Sequence, residues 1–194
     1  MQSVRGFRIG FKTVTTAGQA KFHMRHRIIL DRALWLDVTS FWHLAGGWVG
    51  AAALSAGIGV YLAAIAAIDL KTLRIPDYLS LPLVAAGLAM AAAGPRDILA
   101  NHLIGAGAGF LLLAVFGEIF YRLRGREGLG LGDAKLFAAA GAWLGWQSLP
   151  YVMVLASIGG LCWALIQARG QIAFGPWIAL GFWLCLQVQL FWPT

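Results

Sequence analysis

Charge is scarce in this chain. Of its 194 residues only 12% are Asp, Glu, Lys or Arg, about half of what a soluble domain carries. Residues 38–68, 78–95, 98–117, 136–168 and 170–194 hold none of the four. Each run is long enough for at least one membrane helix, since about 20 apolar residues span the hydrocarbon core. Cysteine is nearly absent as well. Cys162 and Cys185 stand singly inside apolar runs with no second Cys or His at ligand spacing, which excludes a Cys-rich zinc module and argues against a structural disulfide. The chain also lacks aromatics stacked between basic residues, the pattern of a single-strand binder. Its first 37 residues lack the apolar core of a cleavable signal peptide.

What is present is hydrophobic: 60% of the residues, with a mean hydropathy of +0.74. The expected fold is all-α, a polytopic transmembrane helical bundle of about six spans. Fifteen Lys and Arg against eight Asp and Glu leave a net charge of +7. In a membrane protein that excess reads as topology, with positive loops held on the cytoplasmic side against anionic lipid, and not as nucleic-acid binding.

The spans are read at Trp48 to Ile68, Tyr78 to Ala93, Ile98 to Tyr121, two short ones within 136–168 that meet near 147–150, and a last one after Phe174 through Phe191. Pro76 ends helical continuity after the first, and Gly94, Pro95, Arg96 and Asp97 turn the chain after the second. Arg122 to Asp133, with Gly125, Gly128, Gly130 and Gly132, reads as a loop and not a helix. Gly105 and Gly109 have the small-xxx-small spacing of closely packed membrane helices, and the alanine runs at 63–67 and 138–140 read the same way.

The loops at 69–77, 122–135 and 168–172 carry seven Lys and Arg; those at 94–97 and 147–150 and the C-terminus carry one. The seven are assigned to the cytoplasm. Residues 1–44 read as a basic extension, cytosolic or disordered or partly membrane-associated, ahead of a membrane-embedded domain at 45–194. Its seven basic residues conflict with that orientation if a single span precedes Asp69. Either the extension contains another embedded stretch within Ile28 to Ala45, or it is not native sequence.

An even number of spans separates Asp69 from Asp133, so parity puts both carboxylates at one membrane face. An acid at the border of hydrocarbon is costly to ionise and is a functional candidate by default, yet taken singly each reads equally well as a helix cap. Asp133 follows a glycine-rich stretch and precedes an apolar helix, where the dipole favours its charge; Asp69 ends a helix, where the dipole disfavours it. If the two meet, one carboxylate accepts a proton from water while its protonated neighbour polarises a carbonyl. Asp77 reads as a helix N-terminal acid and Glu118 as the i,i+4 partner of Arg122. His43 and His102 have no partner at a recognisable spacing, and Trp143, Trp146 and Trp177 read as anchors or packing.

Three stretches occur in a telling order: DLKTLRIPD from Asp69 to Asp77, GLGDAKL from Gly130 to Leu136 running into GAWLGW from Gly141 to Trp146, and FGP from Phe174 to Pro176. Together they resemble the type IV prepilin peptidases, the GxGD aspartic proteases of membranes, over about residues 60–190. The resemblance implies hydrolysis, at the cytoplasmic face, of the basic leader of prepilins or pseudopilins, with Asp69 and Asp133 as the catalytic pair and no metal or cofactor. It implies that Gly130 and Gly132 shape the approach to Asp133, that Lys135 lies near it, and that Pro76, Phe174, Gly175 and Pro176 shape the site. Bifunctional members of that family carry paired zinc-binding cysteines before the first Asp. None occur here, so peptidase activity without methyltransferase activity is expected. The competing readings are a proton- or ion-coupled transporter and an inactive homologue acting as an assembly factor. Which pilin-like substrate is cut and the oligomeric state are not legible.

Overall fold

The computed structural model of the chain describes residues 47–94, 96–125, 130–167 and 173–191. The basic extension at 1–44, His43, Arg126, Gly128 and the loop at 168–172 fall outside them. The described residues form an all-α membrane bundle of six helices: α1 (Trp48–Thr72), α2 (Asp77–Ala92), α3 (Arg96–Arg124), α4 (Leu131–Leu144), α5 (Leu149–Gln167) and α6 (Gly175–Phe191). A 3-10 turn, Trp146–Ser148, precedes α5. Three helical stretches are long and apolar enough to cross a membrane: Trp48–Thr72, Arg96–Leu123 and Trp146–Ile166. α2 and α6 are shorter apolar helices.

The bundle has two groups of helices that meet through α4 and α6. α4 packs on α3 and α2, whereas α6 packs on α1 and α5. α4 is the central element. From Ala134 to Leu144 nearly every side chain is buried, apolar all round, as expected of a helix enclosed by others. Backbone contact makes this closeness possible. A Cβ on Gly105 would come 2.5 Å from the Gly141 carbonyl oxygen, and one on Gly109 would come 2.9 Å from that of Phe137. The Gly105 and Gly109 pair therefore does what its spacing predicts, letting α3 lie directly on the α4 backbone. The alanine run at 138–140 is buried in the same contact, but Ala63, Ala64 and Ala67 face outward from α1. The first run contributes to packing only through Ile65 and Ala66, which lie against the core.

Burying α4 requires partners for the carbonyls at its C-terminal end, which no later helical N–H reaches. Gly145 N–H donates to Gly141 O at 3.0 Å. His102 Nδ1, 2.8 Å from Ala142 O, must carry the proton there, because a carbonyl only accepts. Leu144 O accepts from Ser148 Oγ at 3.2 Å and from Gln189 Nε2 at 3.1 Å. In α1, Ser55 Oγ donates to Gln187 Oε1 at 2.6 Å, joining α1 to α6.

Two boundaries differ from expectation. α1 continues beyond Ile68 to Thr72, where Leu73 ends it in the left-handed region at φ 52°, its N–H bonded to Asp69 O. Arg122 to Asp133 is not all loop: Arg122–Arg124 complete α3, and Leu131–Asp133 open α4. The Arg122–Glu118 ion pair, 2.7 Å along one helix face, supports the last turn of α3 until Gly125, at φ 64°, ends it. Gly130 is extended and caps α4, so the glycines punctuate two helix ends instead of holding both open.

Candidate active site

Asp69 lies in the last turn of α1 and Asp133 in the first turn of α4, one in each group of helices. Both line a single cavity of about 580 Å³, bounded by the end of α1, the loop at 73–76, the C-terminal part of α3 and the start of α4. Asp69 is only 4% exposed. Its Oδ2 accepts the Gly175 N–H at 3.1 Å, a bond from the first residue of α6 that fixes the carboxylate's orientation. Among the described residues neither acid is in an ion pair, although Arg74 and Lys135 line the same cavity.

Glycine gives room on both sides of the pair, where the main chain itself comes close to its neighbours. A Cβ on Gly175 would come 2.6 Å from Asp69 Oδ2. A Cβ on Gly132 would come 2.9 Å from Ile75 Cβ and 3.2 Å from the Ile75 backbone N and O. Gly130 is less constrained, since a Cβ there would make ordinary contact, 3.7 Å, with Asp133 Oδ2.

Gly130, Gly132, Asp133 and Lys135 line the cavity with Asp69. Lys135 Nζ donates to Asp77 Oδ1, so its partner is the acid that opens α2 and not Asp133. Pro76 caps α2. Phe174 precedes α6, where its carbonyl accepts from Trp177 and Ile178, and its ring lies against Gly160. Pro76, Phe174 and Pro176 are not part of the cavity wall, and Gly175 acts on the site through its amide. Sequence reasoning did not foresee Ile75, Glu118 and Tyr121 in the wall. Ile75 lies inside the motif that drew attention to Asp69, and Glu118 was read only as a partner for Arg122. Among the described residues no group of three or more His, Cys, Asp or Glu is placed to hold a metal ion. Two carboxylates from different helices, facing shared space large enough for water and a peptide segment, have the parts of a water-activating pair.

The family model described as the type IV leader peptidase family matches residues 56–165, a range that contains both acids and the glycines before Asp133. The chain belongs to the type IV leader peptidase family. Its relatives include the prepilin leader peptidase/N-methyltransferase of Aeromonas hydrophila, 39% identical over 175 residues, covering 87% of this chain and 60% of that protein. The protein of the same name from Burkholderia pseudomallei is 43% identical over 139 residues, covering 68% and 45%. That from Escherichia coli K12 is 41% identical over 128 residues, covering 62% and 56%. The chain thus spans about half to three-fifths of these relatives' length. No solved structure matches it. Membership agrees with the resemblance carried by the three ordered motifs, and its matched range includes α4, the helix that organises the bundle.

Proposed function

We propose that this chain is an aspartic endopeptidase that removes the basic leader from type IV prepilins or pseudopilins. The observation that carries this reading is the pair Asp69 and Asp133, contributed by different helices to one cavity and paired with no cation among the described residues. The family and the names of its relatives support the substrate class. The reading covers cleavage alone; the methyltransferase part of those names is not carried over. The partners are the substrate and the lipid around the bundle. The six Lys and Arg of the loops at 69–77 and 122–135, next to the two acids, favour the cytoplasmic side of the inner membrane for the site.

In this mechanism the pair holds one proton. The ionised carboxylate takes a proton from water as its oxygen bonds to the scissile carbonyl carbon, and the protonated carboxyl gives its proton to the carbonyl oxygen. Collapse of the tetrahedral intermediate breaks the C–N bond. The leaving amine receives the proton taken from water, the hydroxyl proton returns to the dyad, and a leader carboxyl and a new N-terminus are released. Asp69, oriented by the Gly175 amide, keeps its Oδ1 for water or substrate.

The test is co-expression with a prepilin in cells lacking their own peptidase, comparing wild type with Asp69→Asn and Asp133→Asn for the leader-sized shift. Asn keeps size and polarity but cannot exchange the proton. Cleavage by wild type and by neither variant is the expected outcome. Full cleavage by both variants, or none by folded wild type against several pilins, would move the reading to a transporter or an assembly factor.

A further inference from the structure

The loop at 73–76 crosses from α1, which packs on α6, to α2, which packs on α4, and so spans the seam between the two groups of helices. Within it Leu73 and Arg74 are exposed, whereas Ile75 is buried, 7% exposed. Its neighbours are unusual for a buried isoleucine, because two of them are glycine backbones. On one side lies Gly132, adjacent to Asp133, close enough that a Cβ there would meet Ile75 Cβ at 2.9 Å. On the other lies Gly175, whose N–H holds Asp69; a Cβ there would meet Ile75 Cδ1 at 2.9 Å. Beyond the loop, the Asp77–Lys135 ion pair ties the start of α2 to the first turn of α4.

We propose that Ile75 is a positioning residue that sets the separation of Asp69 and Asp133, its side chain acting as a strut between the first turn of α4 and the N-terminus of α6. The inference rests on the peptidase reading and adds the device that spaces its two acids. An ordinary core isoleucine touches other side chains, which adjust by changing rotamer when it is trimmed. Ile75 bears on backbone at both ends, and its β-branched side chain has few rotamers with which to yield, so its reach fixes how closely the flanking backbones approach. It touches no reacting atom. Because Ile75 also lines the cavity, trimming it changes the wall by one aliphatic side chain, and misalignment of the dyad is read in kcat and not in KM.

The experiment compares cleavage kinetics of Ile75→Ala and Ile75→Val with wild type, in detergent, against a prepilin. Removing the strut is expected to lower kcat about tenfold or more in Ile75→Ala with KM within about twofold, the mark of lost alignment. Ile75→Val, which removes only the Cδ1 that reaches Gly175, is expected to lose about threefold in kcat at unchanged KM. Where Ile75→Ala does not fold, judged by its elution as a single species and its thermal transition, the Val variant carries the test. Wild-type kcat in folded variants, or a loss confined to KM, overturns the strut while leaving the peptidase reading intact. Failure of wild type to cut, or cutting by Asp69→Asn and Asp133→Asn, overturns that reading and the inference with it.

Discussion

Gly175→Ala is the sharpest single perturbation of this site, because it adds one methyl group and removes nothing. The amide that donates to Asp69 remains, and Gly175 is not at positive φ, so the backbone tolerates alanine. The new Cβ, however, would lie 2.6 Å from Asp69 Oδ2, about 0.8 Å short of an ordinary contact, and 2.9 Å from Ile75 Cδ1. The carboxylate is the part free to yield, and must shift by about that amount. Misplacing a reacting group by about 1 Å costs on the order of a hundredfold, or about 2.7 kcal/mol of barrier. The overpacking itself costs about 1–3 kcal/mol of stability. The assay is the rate of leader release by purified protein, with thermal unfolding measured in the same detergent. Gly107→Ala is the control: nothing lies within 4 Å of a Cβ there, so kcat stays at the wild-type value. A Gly175→Ala protein that cuts within threefold of wild type would refute the claim that the α6 backbone holds Asp69 in its working position.

Three other outcomes are expected. Gly105→Ala drives a Cβ to 2.5 Å from the Gly141 carbonyl oxygen and 2.8 Å from the Trp146 amide, both backbone, so it should lower stability by at least about 1–3 kcal/mol, read from thermal unfolding. His102→Leu leaves the buried Ala142 carbonyl without its donor and should cost about 1–3 kcal/mol by the same measurement, whereas Leu103→Ala on the exposed face should cost much less. Lys135→Met breaks a pair whose Asp77 partner is 59% exposed, so the pairwise energy from a double-mutant cycle with Asp77→Asn should not exceed about 1 kcal/mol.

Much of this architecture was legible because hydropathy in a membrane protein is nearly binary. The charge-free runs located all six helices, and the Gly145 break with its 3-10 turn lies where Gln147, Ser148 and Pro150 interrupt the longest run. Which face of each helix points inward was far less legible. Lipid and core are equally apolar, so the contrast that orients a helix in water is missing. The alanines at 63–67 and 138–140 look alike in sequence, yet three of the four in the first run are exposed while all of the second run are buried. For the candidate site, the order of the motifs is what singles out the two acids and the glycines before Asp133, which line one cavity. The partner of Lys135 was not legible: Asp133 is two positions away, but successive helical residues turn by about 100°, which carries Lys135 toward α2 and Asp77. The role of Gly175 was hidden for another reason, since a main-chain donor leaves no chemical signature in its own side chain.

The distribution of glycine explains how two separate groups of helices can hold two carboxylates in one geometry. A site built from side chains alone inherits their rotamer freedom, and on opposite sides of a seam those freedoms add. Here the critical approaches use backbone: Gly132 against Ile75, Gly175 against Asp69, and Gly105 and Gly109 against α4. Main chain within a helix has almost no alternative positions, so the glycine side of each contact leaves little slack. α4, enclosed by its neighbours and with His102 and Gln189 bonded to its terminal carbonyls, serves as the reference for Asp133. α6, packed on both α4 and α1, carries that reference across the seam to Asp69 through a single amide. Small residues before Asp133 and at the start of α6 are thus part of the alignment itself. The same physical reason makes alanine at Gly132 or Gly175 more damaging than at Gly130, where an added Cβ meets only ordinary contacts.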